Sequence, residues 1–258
     1  MCYTFPVKKG DGPMQNYKLT LSYDGTRYRG WQKQGNTAQT VQGKLEALLS
    51  RALGQPIEIA GSGRTDDGVH ARRQVCSFRA ETDRSCTEML ALLREYLPED
   101  IGALSLEKAP ERFHARLSAV RKTYVYRVWN SATPCVFERK YVYAEPRPLD
   151  LDAMRRAAAA LCGRHEFSAF STGKKTGRAA TRTVESIAIE RCGEEVRLTF
   201  TGDGFLYNMV RILTGTLLEV GLGERSPDDM AAILASHSRA NAGFTAPAQG
   251  LFLWDVTY

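Results

Sequence analysis

The sequence predicts an α+β protein built of two related halves, with mostly antiparallel strands and helices covering one face of the sheet. Three observations point there. Segments with an apolar period of two alternate with segments of helical period along the chain. The order of those segments in the N-terminal part recurs in the C-terminal part without obvious identity between the two. The stretch "ESIAIERCGEEVRLTFTG" reads as a β-hairpin around Cys192-Gly193, a connection open only to antiparallel strands. The reading divides the chain into a leader over residues 1–15, an N-terminal half over 16–111 and a C-terminal half over 112–258.

The elements follow in order. "YKLTLSYDG" alternates Tyr17, Leu19, Leu21 and Tyr23 with Lys18, Thr20 and Ser22, the mark of a half-buried strand. "GTRYRGWQKQGNT" is a basic, aromatic loop punctuated by glycine. "VQGKLEALLSRALG" places Val41, Leu45, Leu48, Leu49 and Ala52 at helical spacing and closes on Gly54. "PIEIAGSGRTDDGVH" reads as a short strand running into a turn. "RQVCSFRA" is a strand, "TEMLALLREYL" a helix and "IGALSLEKA" a strand. The second round has the strand "RKTYVYRVWN", the helix "DLDAMRRAAAALCG", the hairpin, and a helix over 204–221 opened by Asp203 and closed by Gly221.

Of the 258 residues, 43% are hydrophobic and 25% charged, an ordinary globular balance that argues against disorder. The net charge of +6 suits either plain solubility or a polyanionic partner such as nucleic acid. Six cysteines occur without a C-x-x-C pair, and the four histidines are scattered, so a zinc site is not expected. The cysteines read as reduced, which suits the cytoplasm. The N-terminus lacks the apolar core of a signal peptide, and no run approaches a membrane span.

Four stretches carry chemistry. In "GRTDDGVHA", Asp66 and Asp67 sit beside Arg64, Arg72 and Arg73 in a turn that leaves an apolar segment with Ile57 and Ile59. Taken alone this is a polar surface turn. Yet an acid among bases repels phosphate unless it has a chemical task. In "RKTYVYRVWN", Tyr124, Tyr126 and Val128 share one face of the strand. Tyr126 reads as core, and Tyr124, with Arg121 and Lys122 beside it, as equally suited to stacking on a base. The helix over 204–221 is apolar nearly all round, yet Arg211 sits in its middle. A guanidinium does not shed its proton, so it either pairs with a carboxylate, for which Asp66 or Asp67 would serve, or snorkels to water. The basic loops "TRYRGWQKQ" and "STGKKTGRAATR" are suited to tracking phosphates through Arg27, Arg29, Lys33, Lys174, Lys175 and Arg178.

"GRTDDGVHA" resembles the catalytic motif of the TruA family of tRNA pseudouridine synthases. "YDGTRYRGWQKQ", "FHARLSAVRKTYVYRV", "GDGFLYNMVRILTGTLLEVG" and "APAQGLFLWDV" resemble the other motifs of that family, in its order, from about Tyr17 to the C-terminus. The resemblance implies two ferredoxin-like halves sharing an extended, mostly antiparallel sheet with a central active-site cleft. It implies an isomerase that converts uridines 38–40 of the tRNA anticodon arm to pseudouridine, with no cofactor and no metal, as a cytoplasmic homodimer. By motif position Asp66 matches the essential aspartate, Tyr124 the active-site tyrosine and Arg211 the basic partner of the aspartate. Arg64 is placed to hold the flipped nucleotide or fill its space. Asp67 stands where the family often has a small residue such as Ala. His70 is not required by the chemistry. Two competitors remain: an inactive tRNA-binding protein, which would not need Asp66, and a glycosidic-bond hydrolase, which would need a second carboxylate for water.

Overall fold

The alternation in "YKLTLSYDG" produces a strand longer than its pattern, β1 (Met14–Tyr23), with Tyr17, Leu19, Leu21 and Tyr23 buried. The computed structural model describes residues 13–174 and 176–258; residues 1–12 of the expected leader lie outside them. Two units divide between Ala119 and Val120, with Tyr258 joining the first.

In the first unit β1 is followed by α1 (Val41–Leu53), β2 (Ala60–Gly61), β3 (His70–Glu81), α2 (Cys86–Tyr96) and β4 (Ile101–Lys108). All three pairings are antiparallel, and they set the strands in the order β4-β1-β3-β2. This is the βαββαβ arrangement of a ferredoxin-like unit. Both helices carry their own stop and start signals. The Thr40 hydroxyl accepts the Gly43 N–H at the start of α1, and Gly54 closes it at φ 64°. Ser85 and Glu88 form a reciprocal capping box on α2. Val41, Leu45 and Leu49 of α1 and Met89 and Leu93 of α2 are buried with the strand residues Leu19, Leu21 and Phe78.

The second unit repeats the order: β5 (Arg121–Trp129), β6 (Tyr143–Ala144), α3 (Leu151–Leu161), β7 (Gly163–Glu166), β8 (Thr181–Cys192), β9 (Glu195–Gly202), α4 (Met209–Gly221), α5 (Met230–Ser236) and β10 (Leu251–Thr257). Its ladder runs β10-β5-β9-β8-β7, all antiparallel, and the short β6 pairs parallel with β5. Without β6 and β7 this is again a βαββαβ unit with the strand order of the first. The predicted α+β class with mostly antiparallel strands is therefore the observed one. The hairpin turns at Gly193-Glu194, with Gly193 at φ 63°.

Two expectations need correction. The strand predicted from Pro56 forms only at Ala60–Gly61. Side chains of α1 take its backbone groups instead: Ser50 Oγ accepts the Ile57 N–H, Glu46 Oε1 accepts the Ile59 N–H, and Gln42 donates to the Ile59 carbonyl. The helix predicted over 204–221 begins at Met209. Asn208 has φ +60°, which a right-handed helix does not contain. Asp203 caps nothing; it accepts the Thr183 N–H at 3.0 Å. The segment β10 escaped pattern reading because Leu251, Phe252 and Leu253 are all buried, which erases the period of two.

Candidate active site

The turn that bears Asp66 is fastened to the segment between β1 and α1. The Trp31 N–H donates to the Thr65 carbonyl at 3.0 Å, and the Gly68 N–H to the Tyr28 carbonyl at 3.3 Å. Gly30, at φ 88°, passes so close that a Cβ would lie 2.6 Å from the Thr65 carbonyl oxygen. A side chain there would push the turn away. Beneath the turn, the Thr65 and Tyr23 hydroxyls share a hydrogen bond of 2.7 Å. Gln74 donates to the Gly63 carbonyl and accepts from Ser62 Oγ at 2.6 Å. Ser62, Thr65 and Gln74 are buried, and burial pushes the Tyr23 phenol well above its ordinary range. The Val69 N–H closes the turn onto the Asp66 carbonyl. Asp66 is thus half-buried on a rigid base, with buried Thr65 before it and exposed Asp67 after it.

The neighbours of Asp66 have defined tasks. Asp67 accepts from Arg29 Nη1 at 2.8 Å, both side chains being more than half exposed. Arg64 is exposed, and its Nε donates to Gln32. His70 is buried, and its Nδ1 accepts the Gly25 N–H at 3.0 Å, so it helps to hold the same two segments together. Thr65, Tyr23, Ser62 and Gln74 went unnoticed as site residues. The one signal for them was a run of small polar residues between apolar ones, which turn and core explain equally well.

The other two predicted catalytic residues belong to the second unit. Tyr124 lies in β5 opposite Phe200 of β9 and Leu253 of β10. It is buried, with Phe205 edge-on to its ring at 5.2 Å. Tyr126, two residues on, is core as expected; its hydroxyl donates to the Pro247 carbonyl at 2.8 Å. Arg211 is half-buried in the first turn of α4 rather than mid-helix. Its Nε donates to the Ala246 carbonyl at 2.7 Å and its Nη1 to Asn208 Oδ1 at 3.0 Å. Neutral oxygens therefore satisfy part of the guanidinium, a partnership the sequence argument did not foresee.

Comparison with known proteins shows the family. The chain matches the tRNA pseudouridine synthase family over residues 20–117 and 157–258. The chain belongs to the tRNA pseudouridine synthase family. Asp66 and Arg211 fall inside the matched stretches, and Tyr124 between them. A tRNA pseudouridine synthase A of Bacillus sp. (strain KSM-64) is 45% identical over 245 residues, which span 95% of this chain and 100% of that protein. A tRNA pseudouridine synthase A of Halalkalibacterium halodurans is 46% identical, over 92% of this chain and 90% of that one. That of Brevibacillus brevis is 43% identical over 95% and 100%. Among solved structures, an archaeal box H/ACA sRNP Nop10-Cbf5 complex aligns at 15% identity with a TM-score of 0.35, over 79% of this chain and 44% of that one.

The protein is accordingly an isomerase, and the basic residues expected to track phosphates differ in how they are engaged in this tRNA pseudouridine synthase. Arg27 donates from Nε and Nη2 to Asp100, Arg29 pairs with Asp67, and Lys33 reaches the buried Glu46 at 3.0 Å. These three cations thus carry internal partners. Lys174 and Arg178 lie exposed in the loop between β7 and β8. Glu166 anchors that loop by accepting the Gly177 N–H at 2.6 Å, and this bond, with Ser168, holds its carboxyl below the ordinary range. Lys175 lies outside the described residues. Among the described residues no helix is long and apolar enough to cross a membrane.

Proposed function

We propose that this synthase isomerises uridines 38–40 of the tRNA anticodon arm and that Asp66 is its catalytic carboxylate. The reaction breaks the C1′–N1 bond, turns the uracil and joins C1′ to C5; the C5 proton leaves and N1 gains one. Positive charge builds on the sugar as the first bond breaks, and a fixed carboxylate stabilises it or adds to the reacting nucleoside. The observation that carries the reading is the seating of the turn. The Trp31 N–H and the Tyr23 hydroxyl fix Thr65, and Ser62 and Gln74 brace the chain that leads into it, while the next residue keeps its carboxylate half-exposed. The base must leave the stack to reach such a group. Arg64 holds the flipped nucleotide, Tyr124 stacks on the uracil or handles the C5 proton, and Arg211 supplies the basic group. Lys174, Lys175 and Arg178 supply the main phosphate contacts, and Arg27, Arg29 and Lys33 contribute less because each is engaged by a carboxylate.

The pairing of Asp67 with Arg29 speaks against the hydrolase, since the second carboxylate is already engaged. The enzyme works as a cytoplasmic homodimer without cofactor or metal; the five described cysteines, all free, suit that compartment. The test is tritium release from tRNA labelled at C5 of uridine. The parent releases label from positions 38–40 and leaves the base attached, whereas Asp66→Asn releases none while binding tRNA with nearly parental affinity. Release by Asp66→Asn, or free uracil from the parent, overturns the reading.

A further inference from the structure

Asn208 stands where a helix cap belongs and caps nothing. It precedes α4 directly, yet none of its side-chain atoms meets a backbone N–H of the first turn. An asparagine in that position ordinarily adopts an extended backbone and turns its oxygen onto those groups. Here the backbone is left-handed, at φ 60° and ψ 4°, one of only two non-glycine residues with positive φ among those described. Both the capping contact and the preferred backbone conformation are given up, and the side chain bridges two other elements. Its Oδ1 accepts from Arg211 Nη1 at 3.0 Å, and its Nδ2 donates to Thr172 Oγ1 at 2.8 Å. The amide orientation is not arbitrary, because arginine only donates and so must face the oxygen.

Thr172 opens the loop that carries Lys174. That loop is docked on the residue before Asn208 as well: Ser171 Oγ and the Thr172 N–H both donate to the Tyr207 carbonyl, at 3.1 and 3.4 Å. The Ser171 oxygen in turn accepts the Gly173 N–H. On the far side Arg211 is held by the Ala246 carbonyl, and Asn208 supplies another fixed point for the guanidinium. We propose that Asn208 is a positioning residue for the isomerisation, which orients Arg211 and ties that orientation to the seating of the Lys174 loop. Engagement of the loop by tRNA phosphate and alignment of the guanidinium are then one event. The inference rests on the reading of Arg211 as a catalytic residue.

Four variants and a control test it by tritium release, with kcat and KM measured separately. Asn208→Gly keeps the left-handed backbone and removes both contacts; its kcat falls about tenfold, as expected for a misplaced catalytic group. Thr172→Val removes the loop contact alone; its KM rises about fivefold, the worth of one hydrogen bond, with kcat within about twofold of the parent. The double variant shows no larger rise in KM than Asn208→Gly alone. Asn208→Asp restores kcat to within about threefold, since a carboxylate accepts from both Arg211 and the Thr172 hydroxyl. Thermal melting confirms that each variant is folded. Parental kcat in folded Asn208→Gly, or additive effects on KM in the double variant, overturns the inference. Arg211→Met, run alongside, separates the two claims. If it is inactive while Asn208→Gly turns over normally, only the inference is lost; if it is active, the reading of Arg211 is lost and the inference with it.

Discussion

Thr65 shows how much of this site depends on residues that do no chemistry. Its hydroxyl joins the buried Tyr23 phenol, and its carbonyl receives Trp31, so two of its polar groups fix the main chain that leads into Asp66. Thr65→Val keeps the shape and breaks the side-chain bond. It should cost about 1–3 kcal/mol in urea unfolding, the penalty for a buried polar group left short of a partner, and should lower kcat more than tRNA affinity. Gly30→Ala acts on the same point from the other side. Its Cβ would meet the Thr65 carbonyl at 2.6 Å in a left-handed backbone, so a loss of about 3 kcal/mol and of most tritium release is expected. At Asp67 the expected sign is opposite. Asp67→Asn releases Arg29 from its carboxylate and removes a negative charge from the turn. Affinity for tRNA should rise about two- to fivefold at low salt, with turnover retained; weaker binding would mean that the Asp67–Arg29 pair itself shapes the surface for RNA.

Between strands, ion pairs take over this role. Arg127 on β5 donates to Glu195 on β9 from Nε and Nη2, at 2.9 and 2.7 Å, and Arg197 donates to the same carboxylate at 2.6 Å. Glu138 adds a further partner to Arg127. Burial raises the Glu195 carboxyl, but the two arginines outweigh it and hold the group below its ordinary range. A depressed carboxylate stabilises the fold above its unfolded-state value of about 4.3, and that contribution is lost as pH falls through the lower native value. Glu195→Gln should therefore cost about 3 kcal/mol at neutral pH and less as the medium is acidified into the carboxylate range. Urea midpoints followed from neutral to acid pH check this; a gap between parent and variant that stays constant with pH would refute it. Lys33 illustrates the same physics at the helix. It answers the charge of Glu46, whose other oxygen accepts from Gln42 and Ile59. Lys33→Ala should therefore lower stability by about 1–3 kcal/mol, whatever it does to RNA binding.

For the whole molecule, the net charge of +6 conceals an uneven distribution of usable charge. Arg27, Arg29 and Lys33 are already paired with carboxylates, while Lys174 and Arg178 are exposed in a loop held at Glu166 and at Asn208. The logarithm of tRNA affinity should fall linearly with the logarithm of salt concentration. Replacing Lys174 and Arg178 together by Ala should flatten that slope by about one to two units, and Lys33→Ala should flatten it by less than about half a unit. A greater effect from Lys33 than from the loop pair would reverse this assignment of the phosphate-contacting face.

Local rules made much of this legible without coordinates. Period-two alternation marked β1 and β5, helical spacing with Gly54 marked α1, and Gly193 marked the hairpin, because each of these signals acts within a few residues. Five motifs in order carried the family. What the tertiary structure decided lay in pairings between residues far apart in the chain. The backbone of Ile57 and Ile59 is taken by α1, which cancelled a strand that their apolar character promised. The left-handed Asn208 moved the start of α4 by five residues from the expected 204 to 209, because its side chain serves Thr172, which lies 36 residues earlier, and Arg211. The base under Asp66 is assembled from Tyr23, Trp31 and Gln74, which no spacing rule links to one another. Periodicity records which face of an element meets the core; it carries no record of which distant donor will satisfy a given carbonyl, and at this site those donors set the geometry.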